Sequence, residues 1–173
     1  MRKSISCSVI AVLVFSFFLC SCSGGNKETV AEYLGDYSYS DPAVCMVYEP
    51  VEGETDENGE QCYGIQYRKI NDLEGLLASG RTCLIYFYSS MDTGSGSVTA
   101  AVEDLAQVYN GTLTVLMLDA MMFQDKMEKY DIEAVPDFVL IRPGQADQIF
   151  GSASYEYWTL NDVIAWLQTN GVN

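Results

Sequence analysis

The sequence predicts an α/β sandwich, and three observations predict it. Helical and extended patterns alternate from Asn71 onward. Thr82–Tyr88 (TCLIYFY) is an almost unbroken apolar run of strand length, and a second such run, Thr112–Leu118 (TLTVLML), follows one helical segment later. Strands apolar on both faces need helices above and below the sheet. With 173 residues, 49% of them hydrophobic, the chain suits one domain with a substantial core.

The first 21 residues stand apart from that domain. Arg2 and Lys3 precede an apolar run, Val9–Leu19, that is too short for a stable membrane span and reads as a secretory signal. Its end, Leu19-Cys20-Ser21-Cys22, resembles a bacterial lipobox: an aliphatic residue and two small ones before the cysteine that is acylated and becomes the new N-terminus. An ordinary cleaved signal ending near Ser21 or Ser23 is the competing reading. The lipobox implies that residues 1–21 are removed and that Cys22 ties the chain to a bacterial membrane on its extracytoplasmic side. Each buried acyl methylene would contribute about 0.8 kcal/mol to that anchor. Loss of Arg2 and Lys3 takes the formal charge from −15 to −17.

Residues 22–43 are polar and carry Gly and Ser, so they are expected to form a lipidated tether, reaching roughly 25 Å as a flexible coil. The folded domain is then 44–173. It opens with two β-rich stretches, Val44–Glu49 and Cys62–Arg68, on either side of the acidic, turn-forming Pro50–Gln61. This is a hairpin with a long loop. Cys45 and Cys62 fall near its two ends, and an exported protein meets an oxidising environment, so a Cys45–Cys62 disulfide is expected. The bland alternative is two separately buried thiols.

Asn71 is expected to cap a short helix, Asp72–Ser79, ended by Gly80. After the strand Thr82–Tyr88, residues Val98, Ala101, Val102, Leu105 and Val108 recur at helical spacing, which makes Ser97–Tyr109 a helix stopped by Asn110-Gly111. The strand Thr112–Leu118 leads to a short polar helix, Gln124–Tyr130. Asp137–Ile141 and Gln148–Gly151 read as strands joined by a turn at Pro143-Gly144. Thr159 and Asp162 have capping-box spacing for a last helix that carries Leu160, Val163, Ile164 and Leu167 on one face and ends at Gly171. The order β α β α β α β β α mixes parallel and antiparallel pairs.

Composition excludes several functions. Twenty-four acidic against 9 basic residues leave no basic stripe for phosphates, so no nucleic acid is expected. The absence of histidine removes imidazole bases and imidazole metal ligands. The acidic loop Glu52, Glu54, Asp56, Glu57, Glu60 lacks the ligand order of an EF-hand and reads as a solvated loop, although its oxygens invite a calcium reading. Asn110-Gly111-Thr112 spells a glycosylation sequon but more simply makes a turn. No cofactor or metal is implied.

The segments LIYFYSS (84–90), VEDLAQVYNGTLTVLML (102–118) and KYDIEAVPDFVLIRPGQ (129–145) are together similar to a thioredoxin-fold domain, with a core at 64–171 and the hairpin as an N-terminal addition. The resemblance places Pro136 where thioredoxins hold a cis proline beside the active site. It sets Met91-Asp92-Thr93-Gly94-Ser95 at the W-C-G-P-C position. Disulfide exchange needs two thiols there, the first activated by the helix N-terminus and the second to resolve the mixed disulfide. Asp92 and Ser95 stand in their places, and neither exchanges with a disulfide. Tyr86 occupies the position of the buried acid, and Asp137 that of the usual threonine after the proline.

A redox-inactive binding or scaffold domain is therefore expected. The resemblance implies a peptide groove at Asp92, Thr93, Gly94, Ser95, Val135, Pro136 and Asp137, holding an extended chain by backbone pairing. Its carboxylates would favour basic or polar partners in the cell envelope. An extracytoplasmic thiol-disulfide helper acting through Cys45 and Cys62 is the competing enzyme, and a structural envelope spacer is a third class. Asp92-Thr93-Gly94-Ser95 also spells an aspartic-protease tetrad. Its helical context instead favours a turn that caps the following helix.

Overall fold

The computed structural model describes residues 30–91 and 95–173. Cys22, the signal segment and Asp92–Gly94 lie outside these residues. Seven strands form one mixed sheet: β1 (Leu34–Asp36), β2 (Ala43–Thr55), β3 (Gln61–Ile70), β4 (Cys83–Tyr88), β5 (Thr114–Asp119), β6 (Asp137–Ile141) and β7 (Gln148–Ile149). Their order across the sheet is β1-β3-β2-β5-β4-β6-β7. Pairing is parallel between β4 and β5, and antiparallel in β1–β3, β2–β3, β2–β5, β4–β6 and β6–β7. Among the described residues four α-helices accompany them: α1 (Leu73–Ala78), α2 (Ser95–Val108), α3 (Gln124–Lys129) and α4 (Leu160–Thr169). No helix among the described residues is long and apolar enough to cross a membrane.

Alternation along β4 builds the two halves of the core. Leu84 and Tyr86 face α2 and α4, joining Val102, Leu105, Phe138, Val163 and Leu167. Cys83, Ile85 and Phe87 face the other way, joining Leu76 of α1, Leu116 and Tyr130. All six strand residues but Tyr88 are buried, as the unbroken apolar run requires. The three layers expected from the sequence are thus present. Val108 alone leaves the expected apolar face of α2: it is the last helical residue and is 74% exposed, while Ala106 and Tyr109 on either side of it are buried.

The caps show how local chemistry sets the element ends. Thr159 and Asp162 form the predicted capping box at α4, the carboxylate accepting from the Thr159 backbone N–H at 2.7 Å. At α1 the cap is Asp72, not Asn71: its carboxylate accepts from the Gly75 N–H at 2.8 Å. Asn71 is instead held by the sheet, its N–H donating to the Tyr33 carbonyl. Gly111 (φ +88°) makes the turn after α2 where the sequon stands.

Two expectations need correction here. The tether ends earlier than residue 43. Ala31–Tyr33 form a 3-10 turn and Leu34–Asp36 pair with Ile70–Arg68, with Val30, Tyr33 and Leu34 packed on the lower core. Three alternating residues are too few to register as a strand pattern, so β1 was invisible in the sequence. The hairpin is also longer and its loop shorter. The ladder runs to Pro50–Tyr63, shifts register, and resumes at Thr55–Gln61. The Gln61 side-chain amide spans the irregularity by donating to the carbonyls of Val51 (2.7 Å) and Glu54 (3.0 Å). Asp56 closes the remaining turn by accepting from the Asn58 and Glu60 N–H groups, both at 2.8 Å.

Candidate functional site

β4 and β5 run side by side and finish together at the Tyr88–Asp119 pair, while β6 begins beside Phe87. The chain therefore brings four ends to one place: the C-termini of β4 and β5, the N-terminus of β6, and the start of α2 at Ser95. Open α/β sheets present ligand crevices at such strand ends. Val135 and Pro136 lie here, half-buried, and the peptide bond between them is cis, as the resemblance implied.

An open cleft of about 480 Å³ adjoins this point. Ser89 and Ala120 come from the two strand ends, Met121 from the turn after β5, Met127 from α3, and Ile132 and Val135 from the approach to β6. Its rim carries the carboxylates of Glu128 and Asp131. Asp131 holds φ at +53°, the left-handed conformation that ends α3 and turns the chain toward Ile132. Met91, Met121 and Met122 are 77%, 55% and 66% exposed, so this end of the sheet offers flexible, polarisable side chains to solvent. None of these methionines was singled out from the sequence. The signal was the adjacent Met121-Met122 pair immediately after a strand, where apolar residues have no core to enter.

Asp137 does not face the groove. It is 2% exposed, and its carboxylate accepts from the N–H groups of Phe138 (2.7 Å), Gly151 (3.1 Å) and Ser152 (3.1 Å). Burial raises its pKa above the ordinary carboxylate value, and these backbone donors oppose the rise only in part. Asp137 thus staples the start of β6 to the turn after β7, and the expectation that it selects basic partners is corrected. As the first residue of β6 it points inward, an orientation set by the distant Gly151–Ser152 turn and so not legible from the residues around Asp137. Asp92, Thr93 and Gly94 lie outside the described residues, and Ser95 is the first residue of α2.

Tyr86, at the position of the buried acid, is fully buried and stacked on Phe138 at 5.3 Å between ring centroids. Its hydroxyl lies 3.4 Å from that of Thr99 on α2. The phenol fills the space under the helix start with an aromatic ring where a carboxyl would have supplied a proton acceptor.

The thiols are elsewhere. Cys83 opens β4, at the opposite end of the strand from Ser89 and about 20 Å away along it at ~3.3 Å per residue. Burial pushes its pKa to about 11 and that of Cys45 to about 12, so both stay protonated and inert at neutral pH. Cys45 stands opposite Arg68 at the base of the hairpin, whereas Cys62 is six positions further along β3 near the turn. That is roughly 20 Å of strand, against the ~4.4–6.8 Å between Cα atoms that a disulfide requires. Both are free, and the expected Cys45–Cys62 bridge is corrected. The error was one of register: the long ladder puts the two residues at opposite ends of the hairpin, not across from each other. The same separation removes the dithiol on which the helper reading depended.

Among the described residues no group of three or more Asp, Glu or Cys is placed to hold a metal ion. In the acidic loop the Asp56 carboxylate is engaged by backbone donors of its own turn, which hold its pKa below the ordinary value.

The thioredoxin family profile matches residues 69–165. No curated protein sequence matches the chain. Among solved structures, the germline-specific thioredoxin Deadhead from Drosophila melanogaster is 18% identical, covering 56% of this chain and 85% of its own at a TM-score of 0.42. Mitochondrial thioredoxin 3 from Saccharomyces cerevisiae is 18% identical, with 57% and 82% covered and a TM-score of 0.41. The first thioredoxin domain of mouse protein disulfide-isomerase A4 is 18% identical, with 57% and 69% covered and a TM-score of 0.46. The profile spans more than half of the chain, from the last residues of β3 into α4, and the chain belongs to the thioredoxin family.

Proposed function

We propose that this is a redox-inactive thioredoxin-family domain that binds an extended polypeptide in the bacterial cell envelope, anchored to the membrane through acylated Cys22. One observation carries the reading. The cleft at the strand ends is open beside Val135, while Cys45, Cys62 and Cys83 all lie away from it on β2, β3 and the far end of β4. The sequence supplies Asp92 and Ser95 where exchange would need thiols. What remains is a backbone edge at Val135, a methionine-lined floor and an acidic rim. Backbone pairing gives affinity without sulfur chemistry, and Glu128 and Asp131 favour a partner with basic or polar side chains.

The test is a photo-crosslinking residue at Met121 in intact cells. A discrete crosslinked protein, lost when Val135→Asp is added, supports the reading. Capture unchanged by Val135→Asp overturns it. Anchoring is tested separately: Cys22→Ser should move the exported protein from the membrane to the soluble fraction.

A further inference from the structure

β3 is covered by β1 only from Arg68 to Ile70, so its outer edge is open toward the hairpin turn among the described residues. The direction of each backbone group there follows from one bond. The Asn71 N–H donates to the Tyr33 carbonyl on the β1 side at 2.8 Å. Backbone groups alternate between the two edges of a strand, so Tyr63 and Ile65 also direct their N–H and C=O outward. Gly64 and Gln66 direct theirs to β2, where they face Glu49 and Val47. Pro50 agrees with this assignment: opposite Tyr63, its missing N–H belongs to the other edge of the hairpin.

That other edge is therefore guarded by proline, and the β3 edge is not. Gln61–Tyr67 (QCYGIQY) contains no charge and no proline, the devices that ordinarily protect an exposed strand. The field around it is one-sided. From Val47 to Tyr67 the hairpin carries six carboxylates and no basic residue, and Glu52, Glu54, Asp56, Glu57 and Glu60 are all exposed. Glu49 alone is paired, with Arg68 at its base.

We propose that the outer edge of β3 at Tyr63–Ile65 is a second docking surface, distinct from the cleft at Val135, that accepts an extended basic segment as an additional strand. Backbone pairing to Tyr63 and Ile65 supplies the register. Lysine or arginine side chains of the partner meet the acidic turn, and its alternate apolar residues lie along Tyr63, Ile65 and Tyr67. A second copy of this chain is disfavoured as occupant, because it would bring the same six carboxylates against these.

The test uses the full chain and a fluorescein-labelled, end-blocked heptapeptide of alternating valine and lysine, read by anisotropy. Saturable binding is expected, weakened at least tenfold when alternate peptide nitrogens are methylated and at least tenfold when lysine is replaced by glutamate. Ile65→Pro removes one outward donor while leaving the β2 ladder intact, and should weaken binding at least tenfold. Should that variant unfold, the methylated peptide on the unaltered protein decides alone. Equal affinity for the methylated and parent peptides would reduce the interaction to charge and overturn the proposal. So would a concentration-dependent dimer that excludes the peptide.

Discussion

The body from β4 to α4 and the hairpin β2–β3 are built on opposite plans. In the body, β4, β5 and β6 are sealed in the core, the Asp137 carboxylate is stapled inward, and the family profile follows the chain almost throughout. All of the hairpin but Lys69 and Ile70 precedes that profile, and only Ala43–Met46 pair with the body's strand β5; from Val47 onward β2 pairs with β3 alone among the described residues. One region is held by burial throughout its centre, and the other, beyond its buried base at Ala43–Met46, by local hydrogen bonds and turn chemistry. The comparison teaches where change is tolerated. The family's fold persists in the part that has a core, and new surface is added where the sheet has an edge to extend.

The largest effect should come from breaking the body. Phe138 is fully buried, stacked on Tyr86 and set edge-on to Phe150 and Trp158. Phe138→Ala should cost about 3–5 kcal/mol, since the rings around it cannot all collapse into the space. Chemical denaturation measures this. Tyr63→Ala on the exposed hairpin edge should cost well under ~1 kcal/mol by the same measurement.

Asp137 comes next. Asp137→Ala removes the acceptor of three backbone donors, two of them buried, and should cost about 2–3 kcal/mol. Its raised pKa also sets a sign. The residue's contribution to stability is full below the ordinary carboxylate value of ~4 and is lost as pH rises through the elevated folded value. Asp137→Asn should flatten that part of the stability–pH curve, which denaturation from about pH 4 upward would show. Asp162, exposed and with its pKa lowered by Thr159, has the opposite sign and loses its contribution as pH falls.

Thiol chemistry separates the hairpin's outer end from its base and the body. Cys62 on the hairpin is partly exposed, whereas Cys45 and Cys83 are 1% and 0% exposed. Under native conditions an alkylating reagent should modify Cys62 and spare Cys45 and Cys83 until denaturant is added; peptide mass spectrometry reads the sites. Native labelling of Cys45 at the rate of Cys62 would mean that the hairpin base opens independently of the body.

The smallest effect lies at the end of α3. Asp131→Gly relieves a left-handed conformation and should stabilise by about 0.5–1 kcal/mol, a shift of a few degrees in Tm. The carboxylate also sits on the cleft rim, so the variant would reveal whether that charge contributes to partner capture.

The body was legible because its signals are redundant. The run TCLIYFY can only be a doubly buried strand, and Thr159 with Asp162 marks a helix start by chemistry that the structure reproduces. The hairpin and the site were legible only in outline. A pattern of period two shows that Cys45 and Cys62 lie in strands but not how far the ladder runs, and a shift of a few residues decides between a bridge and a 20 Å gap (~3.3 Å per residue). Asp137 failed for a related reason: its position next to Pro136 was correct, but the side toward which its carboxylate points depends on the turn at Gly151–Ser152, fourteen residues away in sequence.

The proposed function requires that this thioredoxin-family domain work without thiol exchange. Insulin reduction in the presence of dithiothreitol, run beside an active thioredoxin, tests it most directly. A rate indistinguishable from dithiothreitol alone, unaltered by Cys62→Ser, is expected; turnover above that background, abolished by Cys62→Ser, would overturn the proposal.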